Sequence, residues 1–297
     1  MAEGQLREIH LKRKIIEMAK LISGAAMSHI PPIGAASDNG KTQDPYYKPL
    51  FDGFEPARKW MRDTKPDTVI IIYNDHASAF SVDLINTFVL GVGEEFEPHD
   101  EGYGPRKVPT GIGNPELAEH MLEHLIMNDF DLALANEMTV DHGFTVPLTT
   151  MCGAPDEWPC KVIPLCVNVI KYPQPKGSRC FALGKEIRRA IDSYDSDETV
   201  AIWGTGGMSH QLQGERAGFI NEEFDTMFLD KLGPDPESLA RIPHIDYLRD
   251  AGSEGIELIM WLIMRGAMKS PKEVYRNYHV PMSNTAAGLI CYDEQQQ

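Results

Sequence analysis

Residues 68–73 read TVIIIY, a run of β-branched and aromatic side chains with no polar alternation. A strand with one wet face alternates apolar and polar residues, whereas a continuous apolar strand needs cover on both faces, as in the middle of a parallel sheet. Similar short apolar strands are expected at residues 21–27, 87–92, 131–135, 161–170 and 199–203. Helical spacing separates them: Pro115 suits the first turn of a helix over 116–127, and residues 180–191 and 221–232 carry the same period. Ser253, with Glu254 and Glu257 in the first turn, opens a further helix to Arg265. Its apolar residues nearly encircle it, so it should be buried. Residues 274–280 and 285–292 read as strands or irregular edges, and the Pro/Gly/Asp-rich stretch 31–56 reads as a long loop. Strands alternating with helices predict an α/β fold: one mainly parallel mixed sheet flanked by helices, with any site at the carboxyl ends of its strands. No repeat or linker divides the chain. The expected organisation is one domain over residues 23–297, preceded by an extension, residues 1–22, with a helical pattern at 6–19.

Charge narrows the function. Among 297 residues, 28 Lys and Arg face 44 Asp and Glu, a formal charge of −16. Nucleic-acid binding needs a basic stripe that this balance does not favour, and an anionic substrate would have to be captured by local donors against the overall field. The longest apolar run, residues 256–264, falls far short of the ~20 needed to span a bilayer, and the charged opening residues do not resemble a signal peptide. No membrane role is expected. Cys152, Cys160, Cys166, Cys180 and Cys291 are odd in number and form no CxxC pair. They read as reduced thiols in a cytoplasm, used as small core hydrophobes.

The candidate chemistry gathers at strand ends. His29 follows strand 21–27, His76 follows TVIIIYND, and His210 follows AIWGTGGMS; His142, in Val-Asp-His-Gly, joins them after a fourth strand. Histidines at that edge suggest metal ligation or acid–base work. Glu257 sits within GIELIMW, where a charged side chain is costly unless paired or metal-bound. The plainer reading has Glu257 facing solvent or capping a helix beside Ser253. Two imidazoles and one carboxylate on one face of a metal are the ligand set of non-haem Fe(II) oxygenases, and zinc takes the same donors. The residues themselves leave open which of the four histidines would bind. Two other motifs carry less weight. His120–His124 matches H-x-x-E-H, but the stripe Leu117, Ala118, Met121, Leu122 and Leu125 turns its polar residues outward. Gly204, Gly206 and Gly207 suggest a phosphate loop, yet Ser209 replaces the third glycine and no Lys follows. A tight turn delivering His210 is the better account.

Six motifs in order, SHIPPIGAAS (28–37), VIIIYNDHASAF (69–80), TVDHGFTVPL (139–148), DEWPCKVIP (156–164), WGTGGMSHQLQG (203–214) and GSEGIELIMWLIMRGA (252–267), resemble the class III extradiol ring-cleavage dioxygenases. Within them the likeness is greatest to the catalytic beta subunits that act on protocatechuate. The resemblance implies that His29, His76 and Glu257 hold Fe(II), that His210 is the acid–base residue, and that His142 is its partner in the pocket. It implies that Ser283 and Asn284 contact the ring carboxylate. Against the overall negative charge, further donors are expected from the turn at residues 100–107 (Arg106, Lys107) or from another subunit. The implied substrates are O2 and a small aromatic acid, protocatechuate or gallate, cleaved beside the diol to a semialdehyde acid. The implied partner is a small helical alpha subunit in a homo- or hetero-oligomer. The competing expectations are an aminophenol-type ring-cleaver, a non-enzymatic binding protein on the same fold, and a zinc hydrolase using these ligands or His120 and His124.

Overall fold

The structure, a computed structural model, describes residues 17–281 and 284–295. Side-chain alternation along the central strands builds two cores from one sheet. In β2 (Thr68–Tyr73), Ile70 and Ile72 enter one apolar cluster while Val69, Ile71 and Tyr73 enter the other, and all six residues are buried. The same division runs through β7 (Lys161–Val167) and β8 (Thr199–Thr205): Ile163, Leu165, Val200 and Ile202 face one way, Val162, Cys166, Ala201 and Trp203 the other.

With β1 (Lys20–Met27), β3 (Phe88–Gly91), β6 (Ala133–Ala135), β9 (Pro271–His279) and β10 (Ala287–Glu294), these strands form an eight-stranded sheet in the order β6-β3-β7-β2-β8-β1-β10-β9. The four central strands β7, β2, β8 and β1 are mutually parallel. β3 runs antiparallel to β7 and β10 antiparallel to β1, so the sheet is mixed. The short strands β4 (Glu95–Phe96) and β5 (Gly111–Ile112) pair separately.

On one face lie α4 (Pro115–Met127), α6 (Gly177–Asp192), α7 (Glu222–Leu232), α8 (Pro236–Ala240) and α10 (Ile259–Ala267). On the other lie α1 (Pro31–Asp38), α2 (Lys48–Asp52), α3 (Glu55–Thr64) and α5 (His142–Cys152). α9 (His244–Asp250) precedes a 3-10 turn, Glu254–Leu258. Helices α6 and α10 approach closely because both carry glycine at the contact: a Cβ on Gly184 would lie 2.0 Å from the Ile263 carbonyl oxygen, and one on Gly266 2.2 Å from that of Phe181.

Two expectations need correction, and the last residues of a third are not helical. The stretch 31–56 is not a loop, since α1 and α2 lie within it, each begun by prolines that suit a first turn. The single helix from Ser253 to Arg265 is a 3-10 turn followed by α10. Of the helix expected at 6–19, residues 6–16 lie outside the described residues. Met18 instead bridges to Asp195 and the Ala19 N–H bonds the Tyr194 carbonyl, leading straight into β1. The five cysteines are free, and four of them are buried. Among the described residues no helix is long and apolar enough to cross a membrane.

Candidate metal centre

Strands β2, β8 and β1 are adjacent and parallel, so their carboxyl ends meet at one edge. His29 lies two residues beyond β1. There the Ser28 N–H bonds the Gly288 carbonyl and the Pro31 start of α1 turns the chain away. The His29 ring is buried and its Nδ1 lies 3.0 Å from Thr205 Oγ1. Thr205 donates its own hydroxyl hydrogen to the Gly143 carbonyl, 3.3 Å away, so it accepts from His29. That fixes the hydrogen on Nδ1 and leaves Nε2 as a bare lone pair. Nε2 is buried without a hydrogen-bond partner, 3.5 Å from Glu257 Oε2.

His76 repeats the arrangement with a charged partner. Asp141 Oδ2 accepts the His76 backbone N–H at 2.7 Å and lies 3.0 Å from Nδ1. Nε2 lies 4.0 Å from Glu257 Oε1 and 2.9 Å from the Asn74 amide nitrogen. Asp141 also caps α5, its Oδ1 accepting the Gly143 N–H at 2.8 Å. Glu257 comes from the 3-10 turn, is buried, and accepts the Gly207 N–H at 2.8 Å. The glycine-rich turn after β8 therefore does more than deliver His210. At Gly206 (φ +97) a Cβ would sit 2.7 Å from that of Glu257, so this backbone must be bare for the carboxylate to dock.

Two further histidines close the ring. The His210 Nδ1–H donates to the Met208 carbonyl at 2.9 Å, leaving Nε2 as acceptor, 3.9 Å from Glu257 Oε2. His142, the first residue of α5, stacks on His76 with centroids 4.0 Å apart and meets His29 edge-on at 5.6 Å. Ligand-capable atoms of His29, His76 and His142 lie within 4.8 Å of one another. The five residues singled out at strand ends and in GIELIMW thus share one site.

The electrostatics suit a cation. Burial pushes the Glu257 carboxyl up, but His29, His210 and His76, when they carry the positive charge that a bound cation would otherwise supply, outweigh it and hold it well below the usual carboxylate range. Burial lowers His29 despite Glu257 nearby. Burial would lower His76 too, yet Asp141, Glu257 and Glu101 prevail and raise it to about 9. Asp141 is correspondingly held low: burial would raise it, and His76 and His142 outweigh that. Buried carboxylates require compensation, and a bare buried imidazole nitrogen aimed at one of them is the arrangement a metal ion completes. The donors, two neutral imidazoles and one carboxylate, fit a ferrous or zinc ion.

A cavity of about 690 Å3 opens from His76 and Glu257, walled by Val169, Tyr172, His244 and Leu248. No Lys or Arg lines it among the described residues. Arg106 does not line it either: its guanidinium grips Asp38 at 2.8 and 2.9 Å and Thr149 at 3.2 Å. Lys107 is likewise absent from the lining. Asn284 is exposed and precedes Thr285, which bridges to His210; Ser283 lies outside the described residues. The H-x-x-E-H motif builds no metal site on α4. His120 Nε2 lies 3.0 Å from both the Ala190 carbonyl and Ser193 Oγ, and His124 faces Glu186 at 3.4 Å, so both face α6 rather than solvent.

Sequence reasoning missed Thr205, Asn74, Asp141 and Glu101. The first three adjoin strand ends or histidines already singled out, and Asp141 stands where a helix cap is preferred. Glu101 lies in an irregular stretch that gives no comparable signal.

Residues 23–288 match the family described as the catalytic LigB subunit of aromatic ring-opening dioxygenase. A gallate dioxygenase of Pseudomonas putida is 39% identical over 198 residues, 66% of this chain and 58% of that protein. A 2,3-dihydroxyphenylpropionate/2,3-dihydroxicinnamic acid 1,2-dioxygenase of Klebsiella pneumoniae is 32% identical over 62% of this chain and 55% of that one. The matches therefore span little more than half the length of these relatives. A crystal structure of an uncharacterised Escherichia coli K12 protein shares the fold, with a TM-score of 0.59 at 14% identity, over 91% of this chain and 99% of that one. With a match that takes in nearly all of the sheet and every residue of the histidine–glutamate cluster, the chain belongs to the family of catalytic LigB subunits of aromatic ring-opening dioxygenases.

Proposed function

We propose that this chain is the catalytic part of an Fe(II)-dependent extradiol dioxygenase that opens the ring of a carboxylated catechol, gallate or protocatechuate, beside its diol. The observation that carries this reading is the pairing of the bare His29 Nε2 with the buried Glu257 carboxylate, with His76 at the cavity. His29 Nε2, His76 Nε2 and one Glu257 oxygen are the assigned ligands. Bound there, ferrous iron supplies open positions on which a diol and O2 meet, which makes their encounter intramolecular.

The remaining steps belong to the chain's own residues. His210 Nε2, bare because Nδ1 is engaged, accepts a diol proton and can return it when the ring opens. His142, stacked on the His76 ring, is assigned as the partner of His210 in the pocket. With no cation in the described lining, the substrate carboxylate is assigned to neutral donors, Asn284 and Ser283, each worth up to ~3 kcal/mol to a charged acceptor. Ile170, Tyr172, Ile245 and Leu248 give the cavity mouth an apolar rim, 45–76% exposed. That rim suits cover by a small helical alpha subunit or a second copy. The free thiols suit a reducing cytoplasm.

The test is anaerobic loading with Fe(II) or Zn(II), then O2 uptake with gallate, protocatechuate, unsubstituted catechol and 2-aminophenol. The expected result is O2 consumption and a yellow ring-opened product with iron alone, carboxylated catechols leading, and loss of metal retention in Glu257→Gln. Equal turnover with zinc, or bound iron that consumes no O2 with any diol, overturns the reading.

A further inference from the structure

The loop between β4 and β5 carries a carboxylate into the histidine cluster. Its first residues run alongside the chain entering α5: the Val140 N–H bonds the Glu97 carbonyl at 2.9 Å, and the His99 N–H bonds the Val140 carbonyl at 2.8 Å. This short parallel pairing sets a register that brings Glu101 to His142. Glu101 Oε2 accepts the His142 backbone N–H at 3.0 Å, and Oε1 lies 2.5 Å from His142 Nδ1. The loop is held beyond that point too. Asp100 Oδ1 accepts the N–H groups of Gly102 and Gly104, both at 2.8 Å, and Arg106 is clamped to Asp38 of α1.

We propose that Glu101 is a positioning residue for the reaction, fixing the orientation and tautomer of His142. A carboxylate at Nδ1 places the ring hydrogen there and leaves Nε2 able only to accept. Nε2 is then the open nitrogen of a ring that stacks on His76 and meets His29 edge-on. The diol would find two imidazole acceptors of fixed tautomer, His210 held by the Met208 carbonyl and His142 held by Glu101. The inference rests on the dioxygenase reading for what His142 accepts from, but not for which nitrogen carries the hydrogen. A purely structural alternative exists, because a carboxylate at the first N–H of α5 also stabilises the helix start.

The experiment separates them. Nitrogen-15 histidine spectra of the chelator-treated protein read the His142 tautomer without iron or substrate. Hydrogen on Nδ1 is expected in the wild type and in Glu101→Asp, which keeps two acceptor oxygens, with loss of that single tautomer in Glu101→Ala. In the Fe(II)-loaded enzyme, Glu101→Ala is expected to lose at least tenfold in kcat for a catechol, with iron content unchanged and Glu101→Asp restoring part of it. A wild-type His142 carrying its hydrogen on Nε2, or a Glu101→Ala protein that melts lower but keeps tautomer and kcat, overturns the proposal. If the wild type cleaves no catechol while the spectra show the expected tautomers, the dioxygenase reading fails and the positioning of His142 stands.

Discussion

Asp141→Asn tests whether the charge behind His76, rather than the shape of the turn, holds the cluster together. Asparagine caps a helix about as well as aspartate, so the Gly143 contact that starts α5 survives while the charge is removed. In the metal-free protein His76 is raised to about 9, burial opposing and Asp141 leading the groups that overcome it. From an ordinary value near 6.5, at ~1.4 kcal/mol per unit, the net shift is worth roughly 3 kcal/mol. A raised histidine stabilises the fold fully below its unfolded value, and that contribution drains away as pH climbs through the folded one. The chelator-treated wild type should therefore lose about 2–3 kcal/mol of this contribution between pH 6.5 and 9, with most of that slope absent in Asp141→Asn. Urea unfolding at half-unit pH steps measures both slopes, and their difference isolates this pair from other titrations. Iron loading must displace the His76 proton, so it releases acid, and the variant should bind Fe(II) 10–100-fold more weakly. Parallel slopes in the two proteins would refute the claim that Asp141 charges His76.

His210→Ala should keep its iron while losing 10²–10⁴ in turnover, the range for removing a general acid–base group; metal analysis and O2 uptake on one sample check it, and full activity would strip His210 of its role. Gly184→Ala should lower stability by about 1–3 kcal/mol in urea unfolding, because the new Cβ meets the Ile263 carbonyl at 2.0 Å and must part α6 from α10. Alanine in a helix interior ordinarily stabilises relative to glycine, so the sign alone decides whether that close approach exists.

What could be read from the sequence follows from which signals are local. TVIIIY announces a doubly covered strand because no polar residue alternates through it, and β2 lies in the middle of the sheet with β7 and β8 on either side. His29, His76 and His210 were legible as a group because parallel strands deliver their following residues to one edge. Glu257 was legible because its neighbours are so apolar. The prolines at the starts of α1 and α2 were read as breakers, though at a first turn they are helix formers. Helix α5 hid behind Pro147, four threonine or glycine residues and a weak amphipathic pattern, since it is buried almost all round. The antiparallel placement of β3 beside β7 left no local trace. Glu101 reaches His142 from 41 positions away through backbone pairing that no residue spacing encodes.

The two imidazoles assigned to the metal differ in what stands behind them, and this fixes where charge sits. Thr205 backs His29 with a neutral oxygen whose hydrogen is committed to Gly143, whereas Asp141 backs His76 with a full negative charge. Glu257 adds a second buried carboxylate in direct contact. A dication held among these groups would be matched by the two buried carboxylates, Glu257 and Asp141, so that the buried pair and the ion would balance to zero. Swapping the partners, with a charge behind His29 and a hydroxyl behind His76, would keep the sum but move the negative group from the cavity side to the base of β1. Polarisation of His76, the imidazole nearest the cavity, would be lost. The asymmetry thus makes the more basic of the two imidazoles the one at the cavity, and Thr205→Asp with Asp141→Thr is the exchange that asks whether the order matters as well as the total.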